Sequence, residues 1–252
     1  MPDLKTKGRN QDGEEEMMYD LESILKHHLT PSLMRYVKDS DIRLKGDQAS
    51  EVLDNIKAIG CGAYHTFAIT VGDRVYSCGL NNYSQLGLGD TDTRPLLHEV
   101  TALRDKGVVM ARGGVHHSCV LTRDGKLYSF GRGDSGQLGV SEFENKAPGA
   151  FSTAPLEVTF PSTGKGVSSE PVKVTSIACG GNHNLALTSR NDVYSWGYGD
   201  MLALGHGEER DEMVPRAINL ARAKVTGGQL TVTQVSAGGQ HSAIIGEVVS
   251  TI

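Results

Sequence analysis

The stretch from Gly60 to Gly89, GCGAYHTFAITVGDRVYSCGLNNYSQLGLG, decides the fold, because copies of it follow in the same chain. RGGVHHSCVLTRDGKLYSFGRGDSGQLGVS occupies Arg112 to Ser141, and ACGGNHNLALTSRNDVYSWGYGDMLALGHG occupies Ala178 to Gly207. Each carries Gly, His, Thr, Tyr, Gly and Leu-Gly in the same order. A shorter copy, SAGGQHSAIIG, runs from Ser236 to Gly246. The histidine recurs at His65, His116, His183 and His241, and the Leu-Gly pair begins at Leu86, Leu138 and Leu204, advancing by 52 and then 66 residues. Inside a copy, Gly79 follows His65 by 14 residues, Gly131 follows His116 by 15 and Gly197 follows His183 by 14. A rigid unit is being joined by connectors of variable length.

Within the unit the pattern is strand, turn, strand, turn. His65 to Thr70 is apolar and β-branched, Val71 to Asp73 forms the turn, and Arg74 to Cys78 alternates until Gly79 breaks it. The second copy turns at Asp124-Gly125, a strong hairpin signal. A polar, glycine-bearing loop, the Leu-Gly turn and a proline-bearing connector follow, the connector supplying an outer strand. One such sheet cannot bury both faces alone, so successive sheets stack face to face, radially as a propeller in preference to a linear solenoid. The fold class is therefore all-β, a partial β-propeller of three full repeats and the start of a fourth.

Composition agrees. Glycine supplies 31 of 252 residues, which suits a chain that turns often and packs backbones closely. The net charge is −5, and the first sixty residues hold 12 acids against 9 bases, so nothing in that balance holds nucleic acid or an anionic membrane. No run approaches the ~18 apolar residues that cross a bilayer. Cys61, Cys78, Cys119 and Cys179 contain no CxxC pair, which predicts small buried side chains in a reducing, intracellular setting rather than a zinc or redox centre. Residues 1–28 read as an acidic, unstructured tail, with Met17 to His28 at helical spacing for one short helix. The partial propeller takes residues 29–252, starting with a connector of one or two strands, with repeats near 60–107, 108–173, 174–232 and 233–246.

The combination Gly-x-x-His-(Ser/Thr), Val-Tyr-Ser-x-Gly and Gln-Leu-Gly, met by Gly62, His65 and Thr66, by Val75, Tyr76 and Gly79, and by Gln85, Leu86 and Gly87, resembles the repeat of the regulator of chromosome condensation family. The WD-repeat signature is missing, and the glycine pairs precede a histidine rather than the kelch aromatics. CGAYHTFAI, VYSCGLNNYSQLG, GGVHHSCVL and SAGGQHS are similar, in that order, to the C-terminal half of the family's Ran exchange factors. That resemblance implies a seven-bladed ring, of which this chain would be the C-terminal part. It also implies a nuclear protein that promotes GDP release from a Ran-type small GTPase and touches chromatin and histones. A non-catalytic scaffold or interaction propeller of the same superfamily is the alternative. The ultraviolet photoreceptor branch needs clustered tryptophans, and Trp196 is the only one here.

The resemblance implies that His116 and His241 lie on the face that engages the GTPase. Rim loops around Asn81, Asn82 and Tyr83 and around Arg132 and Asp134 are secondary contact candidates, each more readily read as a solvated turn. His65 and His183 read as imidazoles that hydrogen-bond a neighbouring turn. No metal is expected, since equivalent positions in a ring lie far apart. Ser118 and Ser242 follow histidines but point to the opposite face of their strands, so no hydrolytic dyad is expected. GxG pieces such as Gly131-Arg132-Gly133 open no helix and read as blade turns rather than phosphate cradles. Exchange requires no bond chemistry, no cofactor and no small-molecule substrate.

Overall fold

The computed structural model describes residues 4–9, 15–19, 35–37, 50–52, 55–161, 171–223 and 228–249. It divides into two units, Met1–Met34 and Arg35–Ile252. In the first, β1 (Leu4–Arg9) and β2 (Glu15–Tyr19) pair antiparallel, with Arg9 opposite Glu15. This corrects the expectation of an unstructured tail and of a helix opening at Met17. Pairing between two strands is a property that helical spacing within one segment does not register. The rest of the expected helix lies outside the described residues.

The second unit begins with β3 (Arg35–Val37) and β4 (Ser50–Val52), which pair with each other. Then come the blades. The first is β5 (Ile56–Cys61), β6 (His65–Thr70), β7 (Val75–Gly79) and β8 (Arg94–Glu99), and β3 joins β8 through a parallel bridge from Tyr36 to Leu97. The second is β9 (Val108–Gly113), β10 (His117–Thr122), β11 (Leu127–Arg132) and β12 (Phe151–Val158). The third is β13 (Val174–Cys179), β14 (His183–Thr188), β15 (Val193–Gly197) and β16 (Glu212–Ala217). The fourth is a hairpin, β17 (Gln229–Ala237) and β18 (Ser242–Val249). All pairing inside a blade is antiparallel between consecutive strands. The blades open at Ile56, Val108, Val174 and Gln229, because each blade's first strand precedes its glycine and belongs to the sheet that follows.

Each blade folds for the same local reasons. Thr70, Thr122 and Thr188 close the hairpins, accepting from the N–H of Asp73, Gly125 and Asn191 at 3.0, 3.0 and 3.1 Å, and these three residues hold φ of 62°, 89° and 65°. Gly79, Gly131 and Gly197 hold φ of 116°, 99° and 104°. A Cβ at Gly131 would lie 2.6 Å from the His116 carbonyl, and one at Gly197 2.5 Å from that of Asn182. Those carbonyls accept from the next N–H, Arg132 and Tyr198, at 2.9 Å each, so the chain must pass this close. Ser77, Ser129 and Ser195 then donate to the carbonyls of the fully buried Leu86, Leu138 and Leu204 at 2.9, 2.6 and 2.7 Å, folding the polar loop back onto its blade.

The apolar cores lie between blades. Phe67, Val75, Val108, Val120 and Phe130 fill the first seam, Cys119, Leu121, Ile177, Ala186 and Trp196 the second, and Leu185, Leu187, Val232 and Val235 the third. A polar clasp crosses every seam. Ser118 donates to the Gln85 carbonyl at 2.7 Å, so its oxygen accepts from His65 Nε2 at 2.8 Å. Asn184 Nδ2 donates to the Gln137 carbonyl at 2.8 Å, which leaves its Oδ1 to accept from His117 Nε2 at 2.8 Å. Ser242 donates to Ala203 and accepts from His183 Nε2 at 3.0 Å.

These bonds correct the repeat alignment. His65, His117 and His183 pair with Gly79, Gly131 and Gly197, so the repeat imidazole of the second blade is His117, and His116 sits one residue earlier, in the turn. The spacing of 15 from His116 against 14 elsewhere is the trace of that offset, and 14 from His117 restores it.

Candidate functional site

In the first three blades the second strand begins where the third ends, so two connections emerge together at one end of the sheet, and the fourth hairpin carries the first of them. One is the short turn holding Tyr64, His116, Asn182 or Gln240, and the other is the long loop of residues 80–93, 133–150 or 198–211. The sequence-predicted contacts therefore share one face of the arc.

Four of them meet at the seam of blades one and two. The half-buried His116 ring stands 4.9 Å from the ring of Tyr83 and 5.8 Å from that of Tyr64. Arg132 lies over Tyr83 at 5.3 Å and is held there by Asp134 in a two-pronged pair of 2.7 and 2.8 Å. Asp134 is anchored in turn by the Gly149 N–H at 2.6 Å. Burial, with Arg132 and His117 adding positive charge, pushes the His116 pKa below the ordinary imidazole value, so the ring is neutral at pH 7. The result is a neutral, π-rich patch with one guanidinium fixed across it, a surface suited to stacking and hydrogen bonding with a partner.

The other candidates separate. Asn82 is exposed beside Tyr83. Asn81 is fully buried, donating to Asp90 and accepting from the Leu86 N–H at 2.9 Å, and this corrects its reading as a rim contact. An Asn at the start of this loop satisfies backbone groups that would otherwise be orphaned. His241 is exposed on the fourth hairpin, and no hydrogen bond or ring contact joins it to the His116 cluster among the described residues.

Sequence reasoning missed further members of this face. Tyr64 is 58% exposed, and Met201 and Leu202 in the third long loop are 64% and 51% exposed, with φ of 53° and 58°. The positions equivalent to Leu202 are Ser84 and Gly136, also at positive φ. A leucine where the other copies carry Ser and Gly was the available signal, since a bulky side chain is held in that region at a cost of order 1–3 kcal/mol. The serine–histidine pairs were missed too. Ser118 and Ser242 do meet imidazoles, those of the preceding blade, but each hydroxyl proton is committed to a carbonyl and the imidazole is the donor, so neither pair is an activated nucleophile.

One group of three potential metal-ligand atoms occurs among the described residues, in His117, Cys119 and Cys179, all within 4.8 Å of one another. The expectation that no ligands converge is corrected in this respect. Asn184 orients His117 so that Nε2 carries the proton, which removes that lone pair. Cys61, expected to be buried like Cys179, is exposed, because no blade packs on that side of β5 among the described residues.

Sheets of this topology, clasped in series and offering one loop-bearing face, define a partial β-propeller. The chain belongs to the RCC1-like domain family, whose model matches residues 8–244. It is 34% identical over 192 residues to the human Regulator of chromosome condensation, covering 73% of this chain and 40% of that protein. It is 32% identical over 176 residues to the Ultraviolet-B receptor UVR8 of Arabidopsis thaliana, covering 70% and 37%. The crystal structure of Prp20p from Saccharomyces cerevisiae superposes with a TM-score of 0.66 at 27% identity, covering 80% of this chain and 46% of that one. The chain thus spans less than half the length of each of these relatives.

Proposed function

We propose that this chain contributes to guanine-nucleotide exchange on a Ran-type small GTPase, with His116 and His241 as contact residues and Asn82, Tyr83, Arg132 and Asp134 as rim contacts. The observation that carries the reading is the His116 patch, a neutral imidazole set between Tyr64 and Tyr83 with Arg132 locked above, in a family that includes the Regulator of chromosome condensation. Prp20p is described with binding properties toward Gsp1p and histones, which supports a GTPase and chromatin as partners and the nucleus as location. The mechanism is differential binding: a face that holds the nucleotide-free conformation more tightly than the GDP-bound one lowers the barrier to GDP release. The test is release of fluorescent GDP from Ran with this chain, together with its binding to nucleotide-free Ran. Acceleration that falls about tenfold in His116→Ala/His241→Ala, a loss of about 1.4 kcal/mol, with an unchanged melting curve, is the expected result. Binding and release both indifferent to the substitutions would overturn it.

The second reading is an interaction propeller without exchange activity. The similarity to UVR8, at nearly the same identity as to the Regulator of chromosome condensation, favours it. Binding of a protein partner that depends on Tyr64, Met201 and Leu202 but not on His116 would select this reading.

A further inference from the structure

The seam between the second and third blades differs from its neighbours at one pair of positions. The third residue of the second strand in the first three blades is Phe67, Cys119 or Leu185, and the residue that ends the first strand is Cys61, Gly113, Cys179 or Ala237. Across the first seam Phe67 meets the Phe130 ring at 6.1 Å, and in the third Leu185 shares an apolar cluster with Ala237. Across the middle seam Cys119 stands against Cys179, and their sulfurs lie within 4.8 Å. At the first seam a Cβ on Gly113 would lie 2.5 Å from His65 Nε2. The equivalent position in the middle seam is Cys179, which accordingly stands beside the Nε2–H of His117.

We propose that Cys119 and Cys179 are a peroxide-responsive thiol pair that closes to a disulfide and staples the second blade to the third. The chemistry is divided between the two sulfurs. Cys119 is buried and donates its S–H to Asn184 Oδ1 at 3.4 Å, and its contact with Cys179 together with its burial holds it above the ordinary thiol pKa. Cys179 is half-buried and is held below the ordinary value by its contact with Cys119, with His117 and Arg112 adding to it. Because Cys119 is buried and Cys179 is the more accessible sulfur of the pair, Cys179 is the nucleophile that meets peroxide. Its thiolate attacks one oxygen of hydrogen peroxide; the S–O bond forms, the O–O bond breaks, and hydroxide leaves and is protonated to water. The sulfur of Cys119 then attacks the sulfenic sulfur; the S–S bond forms, the S–O bond breaks, and the departing hydroxide takes the Cys119 proton as a second water. Two electrons pass from the sulfur pair to the peroxide oxygens. The sulfurs, within 4.8 Å of each other in the reduced protein, close to about 2.05 Å.

The test uses the whole chain with Cys61→Ser, which removes the exposed thiol. The reduced protein is treated with hydrogen peroxide at pH 7, alkylated, digested and analysed by mass spectrometry. The expected result is one peptide pair joined through Cys119 and Cys179, lighter by two hydrogens and released by dithiothreitol, with the oxidised protein melting at a higher temperature. Cys119→Ala should stop the sequence at a Cys179 sulfenic acid that dimedone traps. Should that variant fold poorly, alkylation of the native Cys61→Ser protein serves instead: Cys179 must react at least tenfold faster than Cys78, whose thiol burial pushes up. Cys119 and Cys179 both still alkylatable after peroxide, Cys179 running on to sulfinic acid beside a free Cys119, or a stoichiometric zinc ion that blocks oxidation would each overturn the proposal.

Discussion

Two seam histidines make stability depend on pH through burial. His65 and His183 are held neutral, their pKa values lowered to about 4, with desolvation the largest cause and neighbouring histidines adding to it. The unfolded chain binds protons at these sites below about 6.5 while the native protein does not, so the native state is favoured less as pH falls from 6.5 to 4. Each imidazole accounts for up to about 3 kcal/mol over that window; His116 and His206 shift in the same direction. Glu99 acts in a lower window. Gripped by Arg104 and Arg74, its pKa is lowered to about 2, and its contribution, present above 4.5, is lost between 4.5 and 2. Denaturant midpoints from pH 7 to 3 should show the larger loss between 6.5 and 4, and a flat profile there would mean the imidazoles are not desolvated. The glycines give a second residue-scale test. Gly197→Ala places a Cβ 2.5 Å from the Asn182 carbonyl at φ of 104° and should cost about 2 kcal/mol or more in chemical denaturation, whereas Gly239→Ala, with open space around it, should cost far less.

At the scale of the strand and the seam, legibility divides sharply. β6, β7, β10, β11, β14 and β15 were readable because alternation and the hairpin turns are local signals. The first strand of each blade was not, because the glycine that ends it punctuates the sequence more loudly than the strand itself. The seams were invisible because each joins residues far apart: His65 reaches Ser118 across 53 positions, His117 reaches Asn184 across 67, and His183 reaches Ser242 across 59. For the same reason two adjacent histidines could not be told apart, although one belongs to a seam and the other to the outer face. Of the candidate site, Tyr83 and Asp134 were read as loop residues and lie in loops, while His116 was taken for the repeat imidazole and Asn81 was misread because a buried Asn and an exposed one look alike in sequence. Ser118→Ala tests the seam directly. It strands the His65 N–H and the Gln85 carbonyl in a buried place and should cost about 1–3 kcal/mol; an unchanged denaturation midpoint would show that the hydroxyl bridges nothing.

Over the whole arc, each blade touches only its neighbours, so stability is a chain of nearest-neighbour terms. The inner blades are covered on both faces, whereas the fourth is a two-stranded hairpin with Ile245, Val248 and Val249 exposed. Amide exchange should therefore be fastest in β18, slower in β6 and slowest in β10 and β14, read by mass spectrometry of peptides from each strand. Equal protection across the four would mean that the arc opens as one cooperative body.

The side chains that meet at the junctions, Phe67 with Phe130, Cys119 with Cys179, and Leu185 with Val232 and Val235, also act as an address system. The three blades share one backbone plan, yet each fills its junction differently: ring against ring, two thiols of equal size, a branched chain among valines. Exchanging β6 and β10 would force a phenyl ring beside Cys179 and leave a hollow beside Phe130, penalties of overpacking on one side and of a cavity on the other. The order of blades is thus written in side-chain volume. Cutting and rejoining the chain at an outer loop would preserve that order, whereas shuffling the repeats would erase it.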